Sequence, residues 1–215
     1  TLASIVENIN QTRTEHIVTL EDPVEYIYEP KKSIISQREV GKTVDSFAQG
    51  MYSVLREDPD VLLIGEIRDE KTARMALEAA STGHLVLSTL HTANAPEAPE
   101  RYVEIFQTGR DAIRSTLASN LSYILSQQLI PSPGKRDRTL AMEVLNVRDS
   151  SGAKNHIRTG DYHQIKSDIQ CGGKLNMISM DHHLRNLVDS GRINSEDAIS
   201  YAHDPETMKK EIKRY

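Results

Sequence analysis

The sequence predicts an α/β protein: a parallel sheet with helices between its strands, followed by a small helical part. Three observations carry this. Apolar runs at His16–Leu20, Val61–Ile67 and Leu85–Leu90 are separated by stretches of helical spacing, the alternation expected of βαβ units. Each run ends in residues able to bind or react: Glu21-Asp22-Pro23-Val24-Glu25, Gly65-Glu66 and His91-Thr92. In open parallel sheets, ligands sit beyond the carboxyl ends of the strands. Finally, from about residue 150 the pattern becomes one of short, capped helices.

Taken in order, Leu2, Ile5, Val6 and Ile9 recur at helical spacing, so residues 1–10 predict an amphipathic helix. A strand follows at 16–20. Residues 26–42 are polar and read as loop or short strands. Asp45 is a candidate cap for a helix whose apolar face is Phe47, Met51, Val54 and Leu55, ended by Pro59. The strand 61–67 comes next. Asp69 caps another helix, with Ala73, Ala76, Leu77 and Ala80 inward and Gly83 at its stop. A third strand at about 84–90 leads to the turn Ala95-Pro96-Glu97-Ala98-Pro99. Ile113, Leu117, Leu121, Ile124 and Leu125 predict a long helix over 111–129, and Pro131-Ser132-Pro133-Gly134-Lys135 breaks the pattern. Thr139–Leu145 reads as a strand. The later helices start at Asp181, before Leu184, Leu187 and Val188, at Ser195, before Ala198 and Ile199, and at Asp204-Pro205, before Met208.

Composition narrows the function classes. The chain has 215 residues and a net charge of −5, with no basic stripe before Lys209-Lys210-Glu211-Ile212-Lys213-Arg214. Nucleic acid is therefore disfavoured as principal ligand, and the basic tail reads as a solvated helix face. A single cysteine, Cys171, excludes an internal disulfide framework and a thiolate-rich zinc site. No run approaches the length of a membrane span, so direct membrane insertion is not expected.

At the strand ends, Glu66 is the leading functional candidate, because a buried strand delivers it and Gly65 lets a phosphate or water approach the backbone. The plainer alternative is a loop carboxylate paired with Arg68. Glu21, Asp22 and Glu25 place three carboxylates within five residues, whose mutual repulsion calls for a cation or arginine. One of them, Asp22, also suits a turn before proline. His84 and His91 are seven apart, which on one continuous strand sets them on opposite faces. His91 leaves the strand on the ligand side; His84 enters it, as a functional or a satisfied structural histidine.

The segments LEDPVEY and LREDPDVLLIGEIRDEKTARMALEAASTGHLVLSTLHT resemble the secretion-superfamily ATPases of type II secretion, type IV pili and type IV secretion. They are similar to that family's Asp box, Walker B segment and His box, in its order and spacing. The likeness continues through Met142-Glu143-Val144-Leu145, His163-Gln164-Ile165 and Met180-Asp181, and is greatest to the pilus-retraction, PilT-like branch. That branch carries AIRNLIR where this chain reads Gly152-Ala153-Lys154-Asn155-His156-Ile157-Arg158.

The resemblance implies a RecA-like P-loop NTPase core over 1–149 and a C-terminal helical subdomain over 150–215. It implies ATP hydrolysis with Mg²⁺, with Glu66 orienting the attacking water and His91 sensing the γ-phosphate. Glu25 joins them as a catalytic candidate. Glu21, Asp22, His84, Arg56, Arg68 and Thr89 would contact nucleotide, and Glu21 and Glu25 the metal. It further implies a homohexamer in the cytoplasm, peripheral to the inner membrane through pilus or secretion platform proteins. Export by a secretion ATPase and a non-catalytic ring or partner-binding fragment are the alternatives. No G-x-x-x-x-G-K-[ST] stretch occurs. Gly41-Lys42-Thr43 resembles its end only, with Ser36 where the first glycine belongs. Thr1–Val6 resembles the helix that follows the P-loop, so the chain is expected to begin just after it.

Overall fold

A computed structural model describes residues 1–134 and 136–212. Its contacts divide the chain into two compact units, Thr1–His91 with Tyr102–Arg110, and Thr92–Arg101 with Asp111–Tyr215. Lys135, Lys213 and Arg214, which fall in the predicted break and the basic tail, lie outside the described residues.

The first unit is built on α1 (Leu2–Thr12), β1 (His16–Glu21), β2 (Ile34–Glu39), α2 (Phe47–Val54), β3 (Val61–Ile64), α3 (Glu70–Ser81) and β4 (Leu85–Ser88). Its four strands are parallel and ordered β2-β1-β3-β4. Ile17 faces Val61, and Thr19, Leu63 and Leu87 line up in the next rows. Val6 and Ile9 of α1 pack with Ile17, Val61 and Leu63 on this face, and Leu87 packs against them. The other face brings Leu20 against α2 so closely that a Cβ on Gly50 would stand 2.6 Å from Leu20 Cδ2. With both faces covered, β1 and β3 can be apolar at nearly every position. That is why they were legible as strands.

The edges differ. β2 carries Gln37, Arg38 and Glu39 on its outer flank of the sheet, whereas β4 reads Leu-Val-Leu-Ser and pairs only with β3 among the described strands. The polar stretch 26–42 thus contains one genuine strand, β2, recruited by register with β1 rather than by its own composition. The strand read as 61–67 ends at Ile64, and that read as 84–90 spans Leu85–Ser88. β1, the neighbour of β3, stops at Glu21 and offers it no further partner, and β4 is paired only along the four residues of β3. The pairing does not end abruptly, since Gly65 N–H reaches Leu20 O at 2.7 Å and Ile67 N–H reaches Thr89 O at 3.2 Å. Ser46, not Asp45, caps α2, its extended backbone letting the hydroxyl accept from Gln49 N–H. Asp69 caps α3 as read, accepting from Thr72 N–H at 2.9 Å.

The second unit holds the antiparallel pair β5 (Tyr123–Pro131) and β6 (Arg138–Asn146). Helices α6 (Ser151–Thr159), α7 (Ile165–Cys171), α8 (Met180–Asp189), α9 (Ser195–Tyr201) and α10 (Pro205–Ile212) follow. Ahead of the strands in the chain come α4 (Glu97–Glu104), starting inside the stretch read as a turn and passing into the first unit at Tyr102, and α5 (Arg110–Asn120), in the second unit from Asp111. The helix predicted over 111–129 is therefore corrected: it ends at Asn120, and Tyr123–Pro131 is a strand. Leu121, Ile124 and Leu125 satisfy helical spacing, but residues 123–130 also alternate in exposure, and nine paired positions on β6 favour the strand. Ile130 and Ala141 pack with Met180, Leu184, Leu187, Ile193, Ala198 and Met208. Ser179 caps α8, and Asn194 occupies the cap position of α9, so Asp181 and Ser195 are not the caps. Asp181 instead accepts the N–H groups of His203 at 2.7 Å and Asp204 at 3.1 Å. Asp204 opens α10 as read, bonding Thr207.

Candidate functional site

Parallel register sets the site. Ile64 lies beside Ser88, so the chain leaving β3 at Gly65-Glu66 runs alongside the chain leaving β4 at Thr89–His91. The Thr89 hydroxyl donates to Gly65 O at 2.6 Å and fastens the two exits together. A Cβ at Gly65 would stand 3.4 Å from Leu20 O and 3.5 Å from Glu21 Cα, so this glycine sets Glu66 close beside the first acidic group.

Beyond these exits, His91 Nε2 lies 2.9 Å from Glu66 Oε2, and the Arg68 guanidinium lies 2.5 Å from Oε1. The Glu66 side chain is 13% exposed, that of His91 81% and that of Arg68 66%. The His91 hydrogen bond, chiefly, and then Arg68 hold the Glu66 carboxyl below its ordinary range, against the opposing effect of burial. The result is an ionised acceptor at neutral pH that keeps lone pairs open to a water. Pairing with Arg68, the plainer alternative, is present, and His91 joins the same carboxylate. The structure brings together Glu66, Arg68, Thr89 and His91.

The first acidic group has a different character. Glu21 is buried, at 8% exposure, and accepts from the Thr19 hydroxyl at 2.7 Å and the Gln37 amide at 3.3 Å. Its other oxygen lies 3.4 Å from Glu25 N. Neutral donors, rather than an arginine, offset its charge. Asp22 and Glu25 are exposed. Thr19 and Gln37 escaped sequence reasoning. Gln37 sits in an edge strand too polar to announce itself, and the one hint was the β-branched pair Ile34-Ile35 before it. Among the described residues no group of three or more histidine, cysteine or acidic side chains could hold a metal by itself.

Two candidates lie at the opposite end of the sheet. His84 precedes β4, its Nδ1 2.9 Å from Ala79 O and 3.0 Å from the Thr82 hydroxyl. Arg56 precedes the amino end of β3 and is exposed. A cavity of about 410 Å³ opens there, lined by Arg13, Asp58, Asp60, Thr82 and His84 among others; Glu66 lines no part of it. The Gly41-Lys42-Thr43 stretch is a turn just after β2, where the Thr43 hydroxyl accepts from Glu39 N–H at 2.8 Å.

The family described as "Type II/IV secretion system protein" matches residues 1–210. The chain is 41% identical over 209 residues to a twitching motility protein of Neisseria gonorrhoeae, covering 97% of this chain and 55% of that protein. It is 42% identical over 209 residues to a type IV pilus retraction ATPase, PilT, of Pseudomonas aeruginosa, covering 97% and 60% respectively. The crystal structure of the pilus retraction motor PilT with bound ADP superposes with a TM-score of 0.87 at 42% identity, over 100% of this chain and 59% of that one. The chain thus spans between about half and two thirds of the length of these relatives. Its fold is the RecA-like P-loop fold that they share.

Proposed function

The chain belongs to the Type II/IV secretion system protein family, and on that premise we propose that it carries the hydrolytic side of an ATP-driven motor for type IV pilus retraction. The observation behind the reading is the Glu66–His91 pair, an ionised carboxylate and an imidazole N–H held together past the ends of two adjacent parallel strands. Two relatives that span almost the whole chain are named for twitching motility and pilus retraction.

In this reading Glu66 accepts a hydrogen bond from a water and orients it towards the terminal phosphate of ATP. Holding that water in line supplies most of what a positioning residue can give, since phosphoryl transfer depends mainly on placement and charge stabilisation. His91 Nε2–H, released from Glu66, donates to a phosphate oxygen and so distinguishes ATP from ADP. Arg68 balances the carboxylate and is the near cation for developing charge. Thr89 keeps the two exits in register.

The residues fit Mg²⁺ in its usual manner. Magnesium keeps several waters and takes one or two carboxylates beside nucleotide phosphates. Glu21 and Glu25, joined through the Glu25 amide, are the pair proposed to hold it, with Asp22 beside them and its oxygens open to solvent. The ion would neutralise phosphate charge. His84 and Arg56, at the far end of the sheet, are proposed as nucleotide contacts of a neighbouring copy in a homohexamer. That ring would stand in the cytoplasm against inner-membrane pilus platform proteins. No helix among the described residues is long and apolar enough to cross a membrane.

Phosphate release by the complete protein tests the reading. Sustained turnover that needs both ATP and Mg²⁺ supports it. A complete, folded protein that binds ATP but never releases phosphate would instead favour the ring-binding alternative.

A further inference from the structure

Parallel register sets Gln37 of β2 beside Thr19 of β1. Alternate residues of a strand share a face, so Glu21 follows Thr19 on the same side of the sheet. Both neighbours reach its carboxylate. The Thr19 hydroxyl donates to Oε1 at 2.7 Å, and Gln37 Nε2 donates to the same oxygen at 3.3 Å. Among the described residues, Oε2 has only the 3.4 Å approach of Glu25 N–H. A buried carboxylate needs donors, and here the side-chain donors are gathered on one oxygen. The other keeps lone pairs for a ligand.

The Gln37 amide is not free to turn. Its Oε1 accepts Tyr28 N–H at 3.0 Å, and Nε2 also donates to Tyr26 O at 2.7 Å. These two bonds decide which end of the amide is oxygen. Turned over, Nε2 would face the Tyr28 N–H, and the oxygen would face both Tyr26 O and the Glu21 carboxylate. The loop supplying these bonds is itself tied down on either side. Val24 N lies 3.4 Å from Glu39 Oε2. The buried Asn10 donates to Glu29 O at 2.9 Å and accepts Lys31 N–H at 2.9 Å. All of these residues belong to the first unit.

We propose that Gln37 is a positioning residue for Glu21: the loop between β1 and β2 locks its amide, and the amide together with Thr19 pins Oε1, leaving Oε2 as the oxygen presented to a bound metal. A carboxylate held in one orientation meets an ion without first losing rotational freedom. Without Gln37 it hangs on one side-chain donor, and its two oxygens can exchange places. This rests on Glu21 belonging to the Mg²⁺ site.

The first measurement needs neither metal nor nucleotide. Side-chain carboxyl ¹³C signals are recorded for the 215-residue chain, that of Glu21 being assigned by its loss in Glu21→Gln. Thr19→Val, which removes the other donor to Oε1, gives the direction in which loss of a donor moves the signal. Gln37→Met, similar in length but without donors, is expected to move it the same way, while the signal of Glu70, paired with Arg74, stays in place. A residue that merely held the loop would leave the Glu21 signal unmoved. If Gln37→Met does not fold, the bond is read from its other end: in Glu21→Gln one Gln37 Nε2 proton should shift and the one bound to Tyr26 O should not. The second measurement is Mn²⁺ affinity of the complete protein with a non-hydrolysable ATP analogue, followed by electron paramagnetic resonance. Gln37→Met should weaken it about 10-fold or more, the usual cost of losing a residue that orients a metal-binding side chain. A Glu21 carboxyl signal indifferent to Gln37→Met overturns the proposal, as do Gln37 protons indifferent to Glu21→Gln. So does an affinity lowered by Glu21→Gln but not by Gln37→Met. An affinity unchanged in Glu21→Gln itself removes Glu21 from the metal site; that failure belongs to the underlying reading, and the carboxyl signal still judges whether Gln37 holds Glu21.

Discussion

Replacing Glu66 by glutamine separates chemistry from stability, and the geometry gives a size to each. The amide keeps the shape and one oxygen for His91 Nε2–H, but presents an NH₂ to the Arg68 guanidinium where the carboxylate had made an ion pair. That pair is largely solvent-facing on the arginine side, 66% exposed, so its loss costs about 0–1 kcal/mol. For a chain of 215 residues this lowers Tm by at most about 4 °C. The catalytic effect is far larger. Removing a positioning or general-base group costs about 10²–10⁴ in rate, or ~2.7–5.5 kcal/mol of barrier. The sign with pH follows from the depressed carboxyl. Its stabilisation is fully present above the ordinary carboxylate range, near 4.5, and fades as pH falls through the lower folded-state value. Wild type and Glu66→Gln should therefore converge in Tm in acid, and Glu66 should add no acid limb to kcat between about pH 6 and 8. The assay is phosphate release by the complete protein, with ATP affinity measured separately and melting on the 215-residue chain. Unchanged kcat in Glu66→Gln would refute the reasoning and move the catalytic carboxylate to Glu21 or Glu25.

Three further outcomes are expected. His91→Ala should lower kcat and weaken the preference for ATP over ADP while leaving Tm nearly intact, whereas His84→Ala, losing its bond to Ala79 O, should lower stability by about 1 kcal/mol with a smaller effect on hydrolysis; melting and turnover curves that cannot tell the two apart would end that division of roles. Thr89→Val keeps the side-chain shape but removes the 2.6 Å bond to Gly65 O, and should cost about 0.5–1.5 kcal/mol by denaturant melting together with a fall in kcat. The chain of 215 residues contains no phosphate-cradling G-x-x-x-x-G-K-[ST] stretch and should show no turnover alone; sustained Mg²⁺-dependent phosphate release from it would contradict this.

What could be read from the sequence depended on how local the decisive contacts are. β1 and β3 announce themselves because both faces are covered, which makes them runs of apolar residues. β2 does not, because an edge strand partnered on one side can be polar, and only pairing with His16–Glu21 makes it a strand. Residues 121–131 satisfy two periods at once, and the choice between them is made by a partner strand beginning at Arg138. Caps were missed by one or two residues because Asp45 and Asp181 are as apt chemically as Ser46 and Ser179, and backbone angles decide. Glu66 and His91 were each legible as strand-end residues. Their bond to one another was not, because it follows from the offset of β3 against β4. Glu143 stood within a recognised motif, but its partners at 95, 180 and 203 are visible only in the fold.

The unlike edges of the sheet bear on how the chain behaves in a test tube. β2 is blunted by an amide and two charges, a common defence against a second molecule adding itself as a strand. Along β4, short and mostly apolar, no such charge stands, and the buried Ser88 Oγ finds no hydrogen-bond partner in the structure. Wherever that flank is uncovered it is the side on which strangers can dock. A lysine placed at Leu85, already 41% exposed, is the least intrusive way to blunt that edge.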